Sequence, residues 1–581
     1  MNRVLVLAVA CALSTGAFAL SKPEPDLCAV VPGAQPRLPA KLLEGQGVTD
    51  MQVTTQSPQA RAFFNQGVSQ LHSFWAQEAE RSFLQAAEYD PGMAMAYWGM
   101  AVAAAGDHRS SFQLMRSSNE GGRKNATSES EIARSANGAA LDGQIRAREY
   151  IAKAMSMRGA VSARERLYIE AQAARRDPES KNPDADFIAG MRKLVAAYPD
   201  DLDARSFLGL VLLYGYEEPS KKPRPGTLEG IAFLEGVVAQ NDNHFGAHHY
   251  LIHAYENSKT PEKAWHSSER YPQMVNNIPH ALHMPGHIYI QSDRLDDAVA
   301  SFTVAGANEL SYINADPAYP NGHHGHNIHF LIHALGIEGR YAESLLQAQS
   351  LLSFKETPRE RSGDNQRVTW RQGHFSLIKT LVRFERWHEI LDGRTIPIYD
   401  KPEQQALRAW AMGLAHSALG NPVAAKASLD EMHAAISKAK ATVNVLRIAE
   451  LELQGTLAVR ASEVHKGEKM LADAALKESS LIYQEPPAYP RPVAEGWGSV
   501  ALSVKDFAMA DRAFAEALVL EPGSGRAYLG RSKALAGLGK SSESASMLQK
   551  ARVAWNHADV ELPETAALRV VSTASLAEPV K

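Results

Sequence analysis

The chain is poor in cysteine, close to charge balance and without long apolar runs. Of its 581 residues two are cysteine, Cys11 and Cys28. Cys11 falls in the leader described below, so a single thiol remains and no intrachain disulfide can form. Stability must come from packing. Lys plus Arg number 61 and Asp plus Glu 65, a net charge of -4. Without a basic excess to neutralise phosphates, nucleic acid is not an expected partner. Beyond the leader no apolar run of about 18 residues occurs, so no membrane span is expected in the processed chain. Period-two alternation is scarce, which argues against strands. Gly-x-Gly-x-x-Gly, Gly-x-Ser-x-Gly, Cys-x-x-Cys-His and His-Glu-x-x-His patterns do not occur in a fitting context. Gly539-Lys540-Ser541 looks like the end of a phosphate loop, but Ala534 stands where the required glycine belongs. Neither nucleotide nor haem is expected.

Hydrophobic residues make up 45% and charged residues 22%, the proportions of a folded protein. The first nineteen residues form a leader. Arg3 supplies a positive start, Val4 to Leu13 is apolar, and Ala17-Phe18-Ala19 is a small-x-small cleavage pattern. Cleavage after about Ala19 and export to the periplasm or outside the cell are expected.

Internal repeats dominate the rest. Residues 58–91 match the 34-residue tetratricopeptide (TPR) unit, two helices with small and large apolar residues at set places. Gly67 holds the small site of the first helix. Ala79, Phe83 and Ala86 follow in the second, and Asp90-Pro91 closes the unit. The pattern returns at Phe507, Ala510, Phe514, Ala517 and Pro522. Between these ends Leu295, Ala298 and Phe302 mark another second helix, and Gly339-Arg340-Tyr341 and Gly420-Asn421-Pro422 mark turns. One helical pair cannot bury its apolar face alone, so neighbouring units must cover it. The expected class is all-α, a TPR-like right-handed solenoid of antiparallel helix pairs. The expected organisation is a leader at 1–19, an extension at 20–57, and repeats over 58–243 with a polar loop at 107–143. Histidine-rich repeats over 244–353, further repeats over 354–557 and a tail at 558–581 complete it.

Histidine is the unusual residue. Thirteen of the 21 fall within residues 244–333. His249-Tyr250-Leu251-Ile252-His253-Ala254 recurs as His329-Phe330-Leu331-Ile332-His333-Ala334, with His283-Met284-Pro285-Gly286-His287 between them. Each is a His-x-x-x-His pair, which places both rings on one helical face. His249 to His283 and His253 to His287 are steps of 34, one TPR period; the step to His329 and His333 is 46 and implies a longer second helix or an inserted loop. His280 and His326 lie three residues before the first ring of their helices, where the first helix has Gly246. Helices packed about 8–10 Å apart bring such rings within reach of a common ion. The candidate metal ligands are therefore His249, His253, His280, His283, His287, His326, His329 and His333. Imidazole-only donors suit zinc, copper, nickel or iron, and an exported chain without thiolates makes copper or zinc the first choices. Glu256, one turn past His253, is the candidate carboxylate and acid–base group, with Tyr289 as a second candidate. His244, His248, His266, His323 and His324 fall off the shared columns and are expected at the surface or behind the ligands.

The segments Gly246-Ala247-His248-His249-Tyr250-Leu251-Ile252-His253-Ala254, His280-Ala281-Leu282-His283-Met284-Pro285-Gly286-His287 and His326-Asn327-Ile328-His329-Phe330-Leu331 resemble those of a family of bacterial TPR-repeat proteins, many with export signals. The resemblance implies an all-helical TPR superhelix with a histidine-lined inner face. It supplies no reaction. Gly286 stands where those relatives often carry Ser, and His248 where they often carry an aliphatic residue.

The sequence thus leads to an exported TPR solenoid whose histidine-lined groove binds copper or zinc, for storage, delivery or sensing. Two alternatives stand beside it: a scaffold holding a peptide or protein partner without metal, and a metal-dependent oxidase or hydrolase.

Overall fold

The computed structural model describes residues 38–117, 138–316, 319–355, 369–439 and 443–569. The leader 1–19, residues 20–37 of the extension with Cys28, residues 118–137 of the loop 107–143, residues 356–368 and the tail beyond 569 lie outside the described residues.

Among the described residues 26 α-helices follow one another. Strand pairing there is limited to Tyr216–Glu217 against Lys222–Pro223 and one bridge between Gln46 and Val275. The fold is all-α and TPR-like, an array of antiparallel helix pairs. Its packing unit explains the repeat pattern. Phe83, on helix Ala76–Tyr89, is fully buried. A Cβ at Gly67 on the preceding helix, or at Gly99 on the following one, would come within 2.6 Å of its ring. The ring therefore fills a slot that only hydrogen side chains leave open on both sides. Phe514 does the same between Gly498 and Gly530, where a Cβ would sit 2.7 and 2.4 Å away. Phe302 lies against Gly286, where a Cβ would sit 2.4 Å from its ring, and against Phe330, ring centroids 5.1 Å apart. Such interdigitation spreads the apolar core along the array instead of gathering it at one centre.

Helix starts follow their caps. The Ser57 hydroxyl accepts from Ala60 N–H ahead of Pro58, and Ser162 with Glu165 forms a reciprocal capping pair. The step of 46 residues has its cause in helix Leu295–Ala315, which is 21 residues long. The connection that follows it leads to helix Gly322–Ile337.

Both arms of the array fold against the histidine helices. On the N-terminal side the Trp75 indole N–H donates to the Tyr319 hydroxyl at 3.0 Å. On the C-terminal side the Trp555 indole N–H donates to the Ile337 carbonyl at 2.9 Å, and the Asp559 carboxylate accepts from Ala342 N–H at 2.7 Å. Gly339 turns the chain with φ +79°, and a Cβ there would meet Ala558 at 2.7 Å. The histidines are therefore enclosed by residues distant in sequence, not ranged along an open wall.

Candidate functional site

Three helices supply the site: Phe245–Tyr255, Pro279–Gln291 and Gly322–Ile337. Within the first, the i, i+4 spacing sets the His249 and His253 rings 4.9 Å apart; within the second, His283 and His287 are 4.8 Å apart. The extra histidine of each later helix reaches back to the pair before it. The His280 ring lies 5.1 Å from His249 and 5.9 Å from His253, and the His326 ring 5.2 Å from His283. Two triads result, His249–His253–His280 and His283–His287–His326. In each, one nitrogen per ring lies within 4.8 Å of the other two.

Neighbouring acceptors settle the proton positions of the first triad. His249 Nδ1 faces the His72 carbonyl, so it must carry the hydrogen. His253 Nδ1 faces both Glu256 carboxylate oxygens at 3.2 Å and donates to them. His323 Nδ1 donates to Glu309 at 2.8 Å, which leaves His323 Nε2 as an acceptor; His280 Nδ1 lies 3.3 Å from it and donates. All three Nε2 atoms are then bare lone pairs. All three are buried, and none has a hydrogen-bond partner. Burial holds His249 and His280 well below the usual imidazole range, helped by the neighbouring rings. These are neutral, oriented nitrogen donors of the type a metal ion requires.

The second triad is built similarly but closes on itself. His283 Nδ1 donates to Asn327 Oδ1 at 2.8 Å; the Asn327 amide is oriented by its own donation to the Phe302 carbonyl at 2.8 Å. His287 Nδ1 donates to Glu256 at 2.9 Å and also faces Glu485. The two Nε2 atoms meet at 2.8 Å. Burial opposes charge on His287, but the Glu485 and Glu256 carboxylates prevail and hold it up at about 10. Burial would likewise raise Glu256; facing His253 and His287, it instead lies well below the usual carboxylate range. Phe330 covers the triad, its ring 4.5 Å from His287 and 4.9 Å from His283. A cavity of about 10 Å³ adjoins His253 and Glu256, bounded also by Ser110, Tyr216 and Asn257. It has room for roughly one water.

The third histidine pair joins neither triad. His329 Nδ1 lies 2.7 Å from the Gln372 amide oxygen, and its Nε2 is unpartnered. Burial holds His329 down at about 3 and His333 well below its usual range. The adjoining helix Thr369–Arg383 contributes Lys379 and Arg383 here, cations where the earlier helices offered a further imidazole. Tyr289 is also not brought to the triads. Two residues past His287, it turns to another side of the helix, under the Arg294 guanidinium at 4.4 Å. Met284 is buried in the apolar core.

Some partners escaped sequence reasoning. Gly246, where the first helix lacks the extra histidine, is filled from elsewhere: a Cβ there would sit 2.4 Å from His72 Nδ1. His72 Nδ1 pairs with the Tyr250 hydroxyl at 2.9 Å and Nε2 with Asp203 at 2.8 Å. His72, Asp203 and His244 form another possible metal group, as do Asp242, His248 and His266. In them His72 and His248 have both ring nitrogens engaged. His244 caps its helix by accepting from Ala247 N–H and faces Asp203 at 3.3 Å. His248 pairs with Ser267 and the Asp242 carbonyl, each at 3.0 Å. Of the two placements expected for them, at the surface or behind the ligands, burial excludes the first for His248 and His324. Glu485 and Glu309 had no motif to mark them, and Asn327 stood in a histidine segment without a role of its own.

No protein-family model and no curated protein sequence matches the chain. Among solved structures, a chain of the APC/C hetero-tetramer Cut9–Hcn1 is similar at 12% identity and a TM-score of 0.27, over 88% of this chain and 89% of that one. Human IFIT1, solved as a dimer with m7Gppp-AAAA, is similar at 11% identity and a TM-score of 0.31, over 87% and 92%. A monomeric IFIT1 mutant with Gppp-AAAA is similar at 12% and 0.31, over 86% and 91%. Likeness at this level adds nothing about function; the all-α assignment stands on the chain's own helices.

Proposed function

We propose that this TPR-like scaffold binds a transition-metal ion through Nε2 of His249, His253 and His280. One observation carries the reading: three buried acceptor lone pairs converge, each with its other ring nitrogen committed, and none has a partner. An unmet buried acceptor costs about 1–3 kcal/mol, and a shared cation answers all three at once. His72 and His248 differ in this respect, since both nitrogens of each ring are hydrogen-bonded within the protein.

Three imidazoles and no thiolate suit copper or zinc. Three protein donors leave a coordination position for water or a small ligand, so metal-dependent oxidation or hydrolysis is compatible with the site. Glu256 is bound to two imidazole N–H groups, which makes it a positioning carboxylate. With the leader at 1–19, the reading is of an exported protein that stores, delivers or senses metal.

The test is metal content. The chain is stripped with chelator, loaded with Cu(II) or Zn(II), desalted and measured by elemental analysis. Wild type is expected to retain metal, and His249→Ala with His280→Ala to lose that ion. A bound ion raises stability by about 2.7 kcal/mol at a hundredfold excess over Kd, which a thermal melt reads. Equal metal content in wild type and variant removes the reading. A protein partner that stays bound in strong chelator would assign the scaffold to partner binding instead.

A further inference from the structure

We infer that the His283–His287–His326 triad is a second metal site, and that the two triads form one two-ion centre organised by Glu256. The inference rests on the trihistidine reading above but on different atoms.

The tautomers carry it. Asn327 Nδ2 donates to the Phe302 carbonyl, so Asn327 Oδ1 is free to accept and His283 Nδ1 carries its hydrogen. The carboxylates at His287 Nδ1 require a hydrogen there too. With both Nδ1 atoms committed, the two Nε2 atoms face each other at 2.8 Å and share one proton. A proton can serve for two nitrogens. A metal ion in its place can also take a nitrogen of His326, whose ring converges 5.2 Å from His283. In a tetrahedral site with bonds of about 2.0–2.1 Å, ligand nitrogens stand about 3.3–3.4 Å apart. Metal entry thus asks these two rings to part by only about half an ångström.

The two triads adjoin. His253 and His287 rings are 6.4 Å apart and His280 and His283 rings 6.0 Å. His323 stands between them, 5.4 Å from His280 and from His283. Glu256 is the shared element. It accepts from His253 Nδ1, which belongs to one triad, and from His287 Nδ1, which belongs to the other. A carboxylate behind a ligating imidazole fixes its tautomer and raises its basicity, and its loss typically weakens metal binding 10–100-fold. Here a single carboxylate holds both triads in register.

The experiment is stoichiometry on the full chain, loaded with Zn(II) or Cu(II) and desalted, with far-UV circular dichroism to verify folding. Wild type is expected to hold two ions, His326→Ala one and His280→Ala one. Glu256→Gln is expected to weaken both ions about 10–100-fold in chelator competition. Wild type holding one ion, lost in His280→Ala and kept in His326→Ala, overturns the second site and leaves the first standing. Wild type holding none removes both readings. If His326→Ala misfolds, His326→Gln takes its place; two ions retained in a folded His326 variant overturn the inference. A Glu256→Gln chain that weakens only one site overturns the shared role.

Discussion

Lys379 offers a test of how burial is balanced beside the histidines. Its side chain is 2% exposed and its Nζ has no hydrogen-bond partner. Burial, with Arg383 close by and Glu521 only partly offsetting it, brings its ammonium down from 10.5 to about 7. Glu521 is already held by Arg383 through two hydrogen bonds of 2.9 and 2.6 Å. A group whose folded pKa is depressed contributes full stability only above its unfolded pKa, near 10.5, and loses it as pH falls through about 7. At about 1.4 kcal/mol per pKa unit, the cost is about 4 kcal/mol at pH 7 and about 2 kcal/mol at pH 9. Lys379→Met keeps most of the stem and removes the charge. It is expected to stabilise the metal-free protein by about those amounts, more at pH 7 than at pH 9. Urea denaturation at both pH values, in chelator, measures it. A Met variant less stable than wild type at pH 7, or a gain independent of pH, would refute the reasoning.

Other outcomes follow from the same physics. His329 and His374, held by burial at about 3 and about 4, stay neutral when folded and protonate near 6.5 when unfolded. Their contribution is present above 6.5 and lost as pH falls, about 2 kcal/mol each by pH 5; His329→Leu with His374→Leu should flatten urea midpoints between pH 7.5 and 5. Phe514→Ala, which empties the slot between Gly498 and Gly530, should cost about 3–5 kcal/mol in denaturation while leaving metal content unchanged. Gly246→Ala forces a Cβ against His72, whose carbonyl orients His249. It should cost about 1–3 kcal/mol of stability and weaken the His249–His253–His280 ion in chelator competition, with the other triad spared.

Much of this site was legible from spacing. The i, i+4 rule brought His249 to His253 and His283 to His287, and the 34-residue step aligned the two pairs. The place three residues earlier marked His280 and His326, though not that each reaches back to the preceding helix. Extending the same columns to His329 and His333 went further than the structure does. Spacing counts imidazoles on one helix and is blind to what the next helix presents, which here is Lys379 and Arg383. Tyr289 was chosen for nearness in sequence, and two residues along a helix is enough to turn a side chain away.

The amino-acid sequence by itself determined the helical class, the repeat unit and the faces on which the rings stand. These are local matters, set by periodicity and by small residues opposite large ones within one or two turns of chain. Only the tertiary structure decided which rings meet, which nitrogen of each carries its proton, and that Glu256 serves both triads. Those outcomes depend on acceptors brought in from other elements: the His72 carbonyl from the first helix, Glu309 from helix Leu295–Ala315, Asn327 from helix Gly322–Ile337, Glu485 from a loop in the C-terminal repeats. A proton's position on an imidazole follows from the acceptor it faces, and that acceptor exists only once the arms of the array have folded around the histidines.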